Sequence, residues 1–253
     1  MRRRLAGAGL LLWCGIMLLP STASAQDGSV LLEADVDGRP VGVGNLVLDP
    51  SATTKVSVTV RNNTDTVQRV KTVRISGTAL ALTFFAYDTT VPFDVAPKSS
   101  ETRSFPLEPT DLGSQAIGLL PVTVEVIDVQ RQTIAEVETT GDVRGSLWSV
   151  YGAFGLGVLV LTALSWAGAL IALARRRLPA NRWQRAMRFL PAGFGTGLIA
   201  VISLSVLRLV APSPAAEIPF ILGAAAAAFV LGYVTPHPGG QQPSEMDTVR
   251  IQR

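Results

Sequence analysis

Few side chains in this sequence can do covalent or metal chemistry, and those few are scattered. The 253 residues hold one His, His237, and one Cys, Cys14. Cys14 lies in the apolar start of the chain and His237 between two prolines near its end, so neither has a chemical neighbour in sequence. Residues 26–148 contain no His, Cys or Met. That removes nucleophile pairs built on His, thiolate or imidazole zinc sites and Met/His copper sites. Carboxylates remain. Asp27, Glu33, Asp35 and Asp37 crowd one stretch, but no glutamate follows to close a calcium loop, and a solvated acidic turn is the plainer reading. Glu136 and Glu138 alternate with apolar residues and read as the outer face of a strand rather than an acid/base pair. A hydrolase of cell-wall sugars can work on carboxylates alone. It would want aromatic platforms, and before Trp148 this stretch offers no Trp and only Tyr87 as a tyrosine. The expectation is a non-enzymatic protein with no cofactor and no metal.

The remaining charges suggest membrane topology. Arg175, Arg176, Arg177, Arg182, Arg185 and Arg188 fall in one short segment without an acid. Arg182, Arg185 and Arg188 are three apart, which on a helix makes one basic stripe beside Trp183 and Phe189, suited to an anionic lipid surface. Arg208 is the one charge well inside a long apolar segment, near its end. It can snorkel to headgroups or take a partner, and Glu217 across a short loop is available. The formal charge of +3 comes with no basic patch interleaved with aromatics, so no nucleic-acid partner is expected.

Four kinds of element surround these residues. Arg2, Arg3 and Arg4 precede an apolar run, Leu5–Leu19, then Pro20 and the small-x-small pattern Ala23-Ser24-Ala25. This predicts a secretory signal, residues 1–25, cleaved after Ala25. From 26 to 148 short alternating runs dominate: Val30–Ala34, Gly44–Leu48, Lys55–Arg61, Val67–Ile75, Ala79–Phe85, Thr102–Leu107, Val122–Val126 and Ala135–Glu138. Turn clusters separate them, among them Asp37-Gly38-Arg39-Pro40 and Arg61-Asn62-Asn63-Thr64-Asp65. Period-two alternation at this spacing predicts an all-β, two-sheet sandwich of about eight strands, with no helical window. Asn62 also opens an Asn-Asn-Thr glycosylation sequon, which a turn asparagine explains equally well.

Residues 149–234 predict three membrane helices, at about 149–174, 189–210 and 215–234, each near the length a bilayer needs. A re-entrant hairpin is the alternative for the last two. The six-arginine segment marks the cytoplasmic side, so the sandwich is expected outside and the C-terminus inside a bacterial plasma membrane. Residues 235–253 are polar and predicted to be a disordered cytoplasmic tail. Gly193 and Gly197, Ala153 and Gly157, and Ala224 and Ala228 are small residues four apart, the spacing that lets helices approach closely. They suit packing among the three helices or docking on another membrane protein.

Val56-Ser57-Val58-Thr59-Val60-Arg61-Asn62-Asn63-Thr64-Asp65 resembles the strand, Asn-rich turn, strand signature of bacterial immunoglobulin-like surface modules. Gly118-Leu119-Leu120-Pro121-Val122-Thr123-Val124-Glu125-Val126 resembles their penultimate strand. The resemblance implies an immunoglobulin-like sandwich that binds or spaces, not one that reacts, and it assigns no functional residue. Nineteen arginines against three lysines is the bias of a high-GC bacterial genome. The combined expectation is a cell-envelope protein whose exported domain binds or braces a partner. Its helices would anchor it, with membrane lipid and another envelope protein as neighbours. A small transport or channel subunit with an outer lid is the alternative.

Overall fold

The computed structural model describes residues 29–236. The cleavage-site residues Ala23 and Ala25, Cys14, His237 and nearly all of the tail lie outside the described residues.

Nine strands form two open sheets, followed by three long helices. The first sheet has the order β2 (Arg39–Pro40), β1 (Val30–Val36), β4 (Thr54–Asn62), β7 (Ser99–Leu107), all antiparallel. The second has the order β3 (Asn45–Leu48), β9 (Thr133–Val143), β8 (Gly118–Asp128), β5 (Gln68–Ala79), β6 (Leu82–Val95). It is mixed, because β3 runs parallel to β9.

The alternating runs decide which faces meet. In β4, Val56, Val58 and Val60 are fully buried, while Ser57 and Thr59 point away. There they pair by hydroxyl with Ser104 and Thr102 of β7, at 2.6 and 2.8 Å. In β8, Val122, Val124 and Val126 do the same for the second sheet, and both sets belong to one buried cluster. Asn62 closes β4 from inside. Its Nδ2 donates to the carbonyls of Thr66, Val95 and Ala96, and its Oδ1 accepts from the backbone N–H and hydroxyl of Thr64. The amide that a glycan would need is thus enclosed and fully engaged.

Three features depart from the expected strand map. The Asp37-Gly38-Arg39-Pro40 cluster is a tight turn at Asp37-Gly38, and its last two residues form β2. The expected strand Ala79–Phe85 contains a hairpin tip instead. Ala79 pairs with Leu82, and Leu80 and Ala81 make a two-residue loop with φ of 51° and 60°. Such turns normally carry Gly, Asn or Asp, so no turn signal marked it. A single helical turn, α1 (Leu112–Gln115), interrupts the strands where no helical period was visible.

The helices are α2 (Val150–Ala174), α3 (Arg182–Val206) and α4 (Pro214–Val234), with mean hydropathy of 2.2, 1.8 and 1.8. All three are long and apolar enough to cross a membrane. Ser149, Asn181 and Ser213 cap their N-termini, each side-chain oxygen accepting from a first-turn N–H. Helix α3 takes in the arginines from Arg182 to Arg188 and ends at Val206. The proposed basic stripe does not survive as one face: Arg185 is buried, and its Nη1 donates to the carbonyls of Pro179 and Ala180, both at 3.0 Å. Phe189 is buried too, whereas Arg182, Trp183 and Arg188 are exposed. The apolar face of α3 has to pack on α4, and this carries Arg185 inward.

Candidate functional site

The small residues are placed first by helix packing. Helix α3 packs against both α2 and α4. A Cβ on Gly193 would meet Ala224 and Ala228 of α4, and stand 2.9 Å from Ala225 Cα. On Gly197 it would stand 2.8 Å from the carbonyl of Phe220. Gly193, Gly197, Ala224 and Ala228 therefore belong to one internal contact, at which the helix backbones approach closely. Ala153 and Gly157 do not join it. Both are exposed on α2, and nothing lies within 4 Å of a Cβ placed on Gly157.

The polar residues of the helices converge instead on the sheets. Gly118 opens β8 at φ 91°, a left-handed conformation, with its Cα pressed on the end of α3. A Cβ there would collide with the Ser205 carbonyl and stand 2.8 Å from Val206 Cα. Ser205 Oγ donates to the Leu119 carbonyl at 2.6 Å, buried. Thr162, Ser165 and Thr196 donate back to their own helices, as hydroxyls in apolar helices commonly do. Thr196 also accepts from Trp166 Nε1 of α2 at 3.0 Å, and Ser205 reaches from the helices to the sheets.

Arg208 follows directly. It occupies the left-handed position (φ 59°) just past α3, where the backbone N–H groups of Arg208 and Leu209 bond back to Ser205 and Leu204. Its Nε donates to Asp142 Oδ1 of β9 at 2.6 Å. Glu217, in the first turn of α4, accepts from the backbone N–H of Leu80 at 3.1 Å, at the tip of the β5–β6 hairpin. Arg208 and Glu217 are thus not each other's partners: Arg208 holds β9, and Glu217 holds the turn between β5 and β6. The third attachment is aromatic. Tyr151, in the first turn of α2, is fully buried and meets Phe84 of β6 edge-on, with ring centroids 4.7 Å apart. Phe154 lies 5.9 Å from the same ring.

Each helix therefore has its own grip on the second sheet: α2 by Tyr151, α3 by Ser205 and Arg208, α4 by Glu217. The link from β9 to α2 is held as well, with Arg144 N–H on the Leu48 carbonyl and Ser146 N–H on the Gly113 carbonyl. Gly118, Asp142, Leu80 and Tyr151 had no signal in sequence as junction residues, because each meets its partner across a long loop closure. Nothing in sequence separates Ser205 from Ser203 or Thr196 of the same apolar segment.

The other charged positions lie elsewhere. Arg175, Arg176 and Arg177 are exposed at the end of α2, about 37 Å of helix from Tyr151. Asp37 Oδ1 accepts from Lys55 N–H at 2.8 Å, so that carboxylate fixes a turn. Among the described residues no group of three or more His, Cys, Asp or Glu is placed to hold a metal ion. On the outer face of the second sheet, Asp88, Arg74, Glu125 and Glu136 form a cross-strand row. Arg74 donates to both Asp88 oxygens, at 2.7 and 2.9 Å, and this hydrogen bonding holds the Asp88 carboxyl below its ordinary range. Burial raises Glu125 above its ordinary range, and neighbouring Glu136 pushes the same way.

No family of known proteins matches the chain, and no curated protein does. Among solved structures, a Niemann-Pick type C2 protein from Japanese carpenter ant matches 46% of this chain and 93% of its own, at 9% identity and a TM-score of 0.37. The sporulation control protein Spo0M from Bacillus subtilis matches 52% of this chain at 11% identity and a TM-score of 0.34, and this chain spans 56% of its length. An alkylpurine DNA glycosylase from Pseudomonas fluorescens matches 45% of this chain and 30% of its own, with a TM-score of 0.31.

Proposed function

We propose that this chain is a non-enzymatic cell-envelope membrane protein. Its immunoglobulin-like domain stands outside the plasma membrane and binds or braces a partner, and its three helices cross the bilayer and anchor it in a membrane complex. The observation that carries this reading is the triple attachment of the sheets to the helices. A domain held by Tyr151, Ser205, Arg208 and Glu217 is a mounted platform, not a module on a tether.

Several features support the parts of this reading. The order of the second sheet, β3 parallel to the last strand β9 and then β8, β5 and β6, is compatible with an immunoglobulin variable-type sheet and supports that part of the reading. The first sheet supplies the facing strands. Large apolar side chains such as Leu161 and Leu164 of α2 face outward, as lipid-contacting residues do. Trp148 is exposed at the sheet end of the helices, and Trp183 and Tyr233 lie together at the other, in the manner of interfacial belts. The arginines of the α2–α3 connection lie at the end remote from the sheets, which by the positive-inside rule faces the cytoplasm.

The test combines topology with company. A single cysteine at Ser99 should be labelled by an impermeant reagent in intact cells, and one at Gln184 only after permeabilisation. The reverse pattern would overturn the orientation. Purification in mild detergent should recover a stoichiometric membrane partner, and a chain that runs alone under those conditions sinks the bracing role.

A further inference from the structure

Where the sheets meet the helices, three separate segments expose large apolar side chains. Leu82 closes the β5–β6 hairpin loop and is 46% exposed. Leu147 and Trp148 precede the cap of α2, and Leu207, Leu209 and Val210 lie just past the end of α3; all are exposed. The hairpin belongs to the same level, because Leu80 N–H is held by Glu217 in the first turn of α4. Elsewhere on the sheets, the exposed large apolar residues among the described residues are Val43, Val67 and Val129. Single exposed valines are ordinary on a protein surface, whereas a group gathered at one level marks a contact.

We propose that the tip of the β5–β6 hairpin is seated in the interfacial layer of the outer leaflet, with Trp148 and the Leu207–Val210 stretch beside it. The sheet domain then touches lipid itself, and its partner at this surface is a phospholipid bilayer. The proposal rests on the membrane-spanning reading above. The tip Ala79-Leu80-Ala81-Leu82 is wholly apolar, although a two-residue hairpin loop in water favours Gly, Asn or Asp. A shallow bed of lipid rewards apolar side chains at such a tip. The Leu80 N–H is already bonded to a carboxylate, as a backbone donor withdrawn from water requires. The two charges at the helix ends are turned to the sheets as well, Arg208 on Asp142 and Glu217 on Leu80. Arg144, exposed between β9 and α2, has a stem long enough to reach lipid phosphates. Val150 and Ile218, exposed near the starts of α2 and α4, carry the apolar surface onto the helices. Lipid covering those helices therefore runs up to the tip.

The test places a single tryptophan at the tip, Leu82→Trp, in the full chain with its other tryptophans replaced by Phe. The protein is reconstituted into phosphatidylcholine vesicles, with either plain lipid or lipid brominated high on the acyl chain. Brominated lipid should remove about half of the Leu82→Trp emission, the depth of an interfacial side chain, and iodide in the buffer should remove little. Thr83→Trp, at the next exposed position, gives the same reading should Leu82→Trp not fold. Val67→Trp, beyond the other end of β5 and about 40 Å along the strand, should show the reverse pattern. A tip tryptophan quenched by iodide and not by brominated lipid overturns the proposal. One shielded from both quenchers is covered by protein, a second copy or another chain, and overturns the lipid assignment. A chain stripped from membranes by alkaline carbonate overturns the membrane reading and this surface with it. A chain that resists carbonate while its tip behaves like Val67→Trp overturns this surface alone.

Discussion

Asn62 was visible in sequence as a turn residue or a glycan acceptor, and its burial decides between them. Its five hydrogen bonds tie the end of β4 to the β6–β7 connection. Asn62→Ala would leave those carbonyls and the Thr64 donors without partners in a water-poor site. The expected loss is about 2–3 kcal/mol of stability, read from thermal or urea unfolding of the full chain. Glu125 points the other way. Its carboxyl titrates above the ordinary carboxylate range because it is partly buried, so the folded state binds its proton more tightly than the unfolded state does. Stability from this group is therefore present below the unfolded value and lost as pH rises through the folded one. Asp88 has the opposite sign, since Arg74 holds it low: its contribution is present at neutral pH and lost as pH falls through its depressed folded value. Glu125→Gln should raise the melting temperature at pH 7 more than at pH 4. An equal shift at both would show that Glu125 is not desolvated.

At the scale of elements, the β5–β6 hairpin combines local cost with distant use. Leu80 and Ala81 both occupy the left-handed region, which costs a non-glycine residue about 1–2 kcal/mol, while Leu80 N–H is held by Glu217. Ala81→Gly removes part of that cost and leaves the Glu217 contact intact, because the contact uses the neighbouring residue. It should stabilise the protein by roughly 0.5–1 kcal/mol in thermal unfolding, and a destabilised variant would show that the Ala81 methyl packs usefully. The same hairpin marks where the sequence stopped being readable. Strands β4 and β8 were legible because their valines alternate with polar residues over one face. The tip was not, because Leu and Ala carry no turn preference and the run Ala79–Phe85 looked continuous. The partner of Arg208 was hidden for a related reason. Its charge stood out against an apolar segment, but Asp142 lies far away in sequence, and Glu217 was merely the nearest acid along the chain. Local pattern finds elements, whereas the pairing that joins them is non-local.

At the scale of the molecule, the sheets do not finish their own core. Tyr151 of α2 and Ile202 of α3 belong to the same buried cluster as Val56, Val60, Val122 and Val124, with Phe154, Val158 and Val206 packed against it. The bottom of the two-sheet domain is thus closed by helix side chains. If so, sheets and helices should unfold as one cooperative unit near that junction. Tyr151→Ala removes a fully buried ring from the seam and should cost roughly 3–5 kcal/mol. The loss should appear in the unfolding of the sheets, followed by the fluorescence of a Trp substituted at Phe93, which pairs with Val70 at the end of β5 opposite the Leu80 turn, in a chain whose Trp148, Trp166 and Trp183 are replaced by Phe. Leu161→Ala, on an outward-facing turn of the same helix, should barely move that transition. Gly118→Val tests the seam from the strand side. It forces a side chain into the Ser205 carbonyl from a left-handed backbone position, and should split one unfolding transition into two as the sheets lift off the helices. If Tyr151→Ala and Gly118→Val both leave a single, unshifted transition, the attachment is only contact, and the domain stands on its own core.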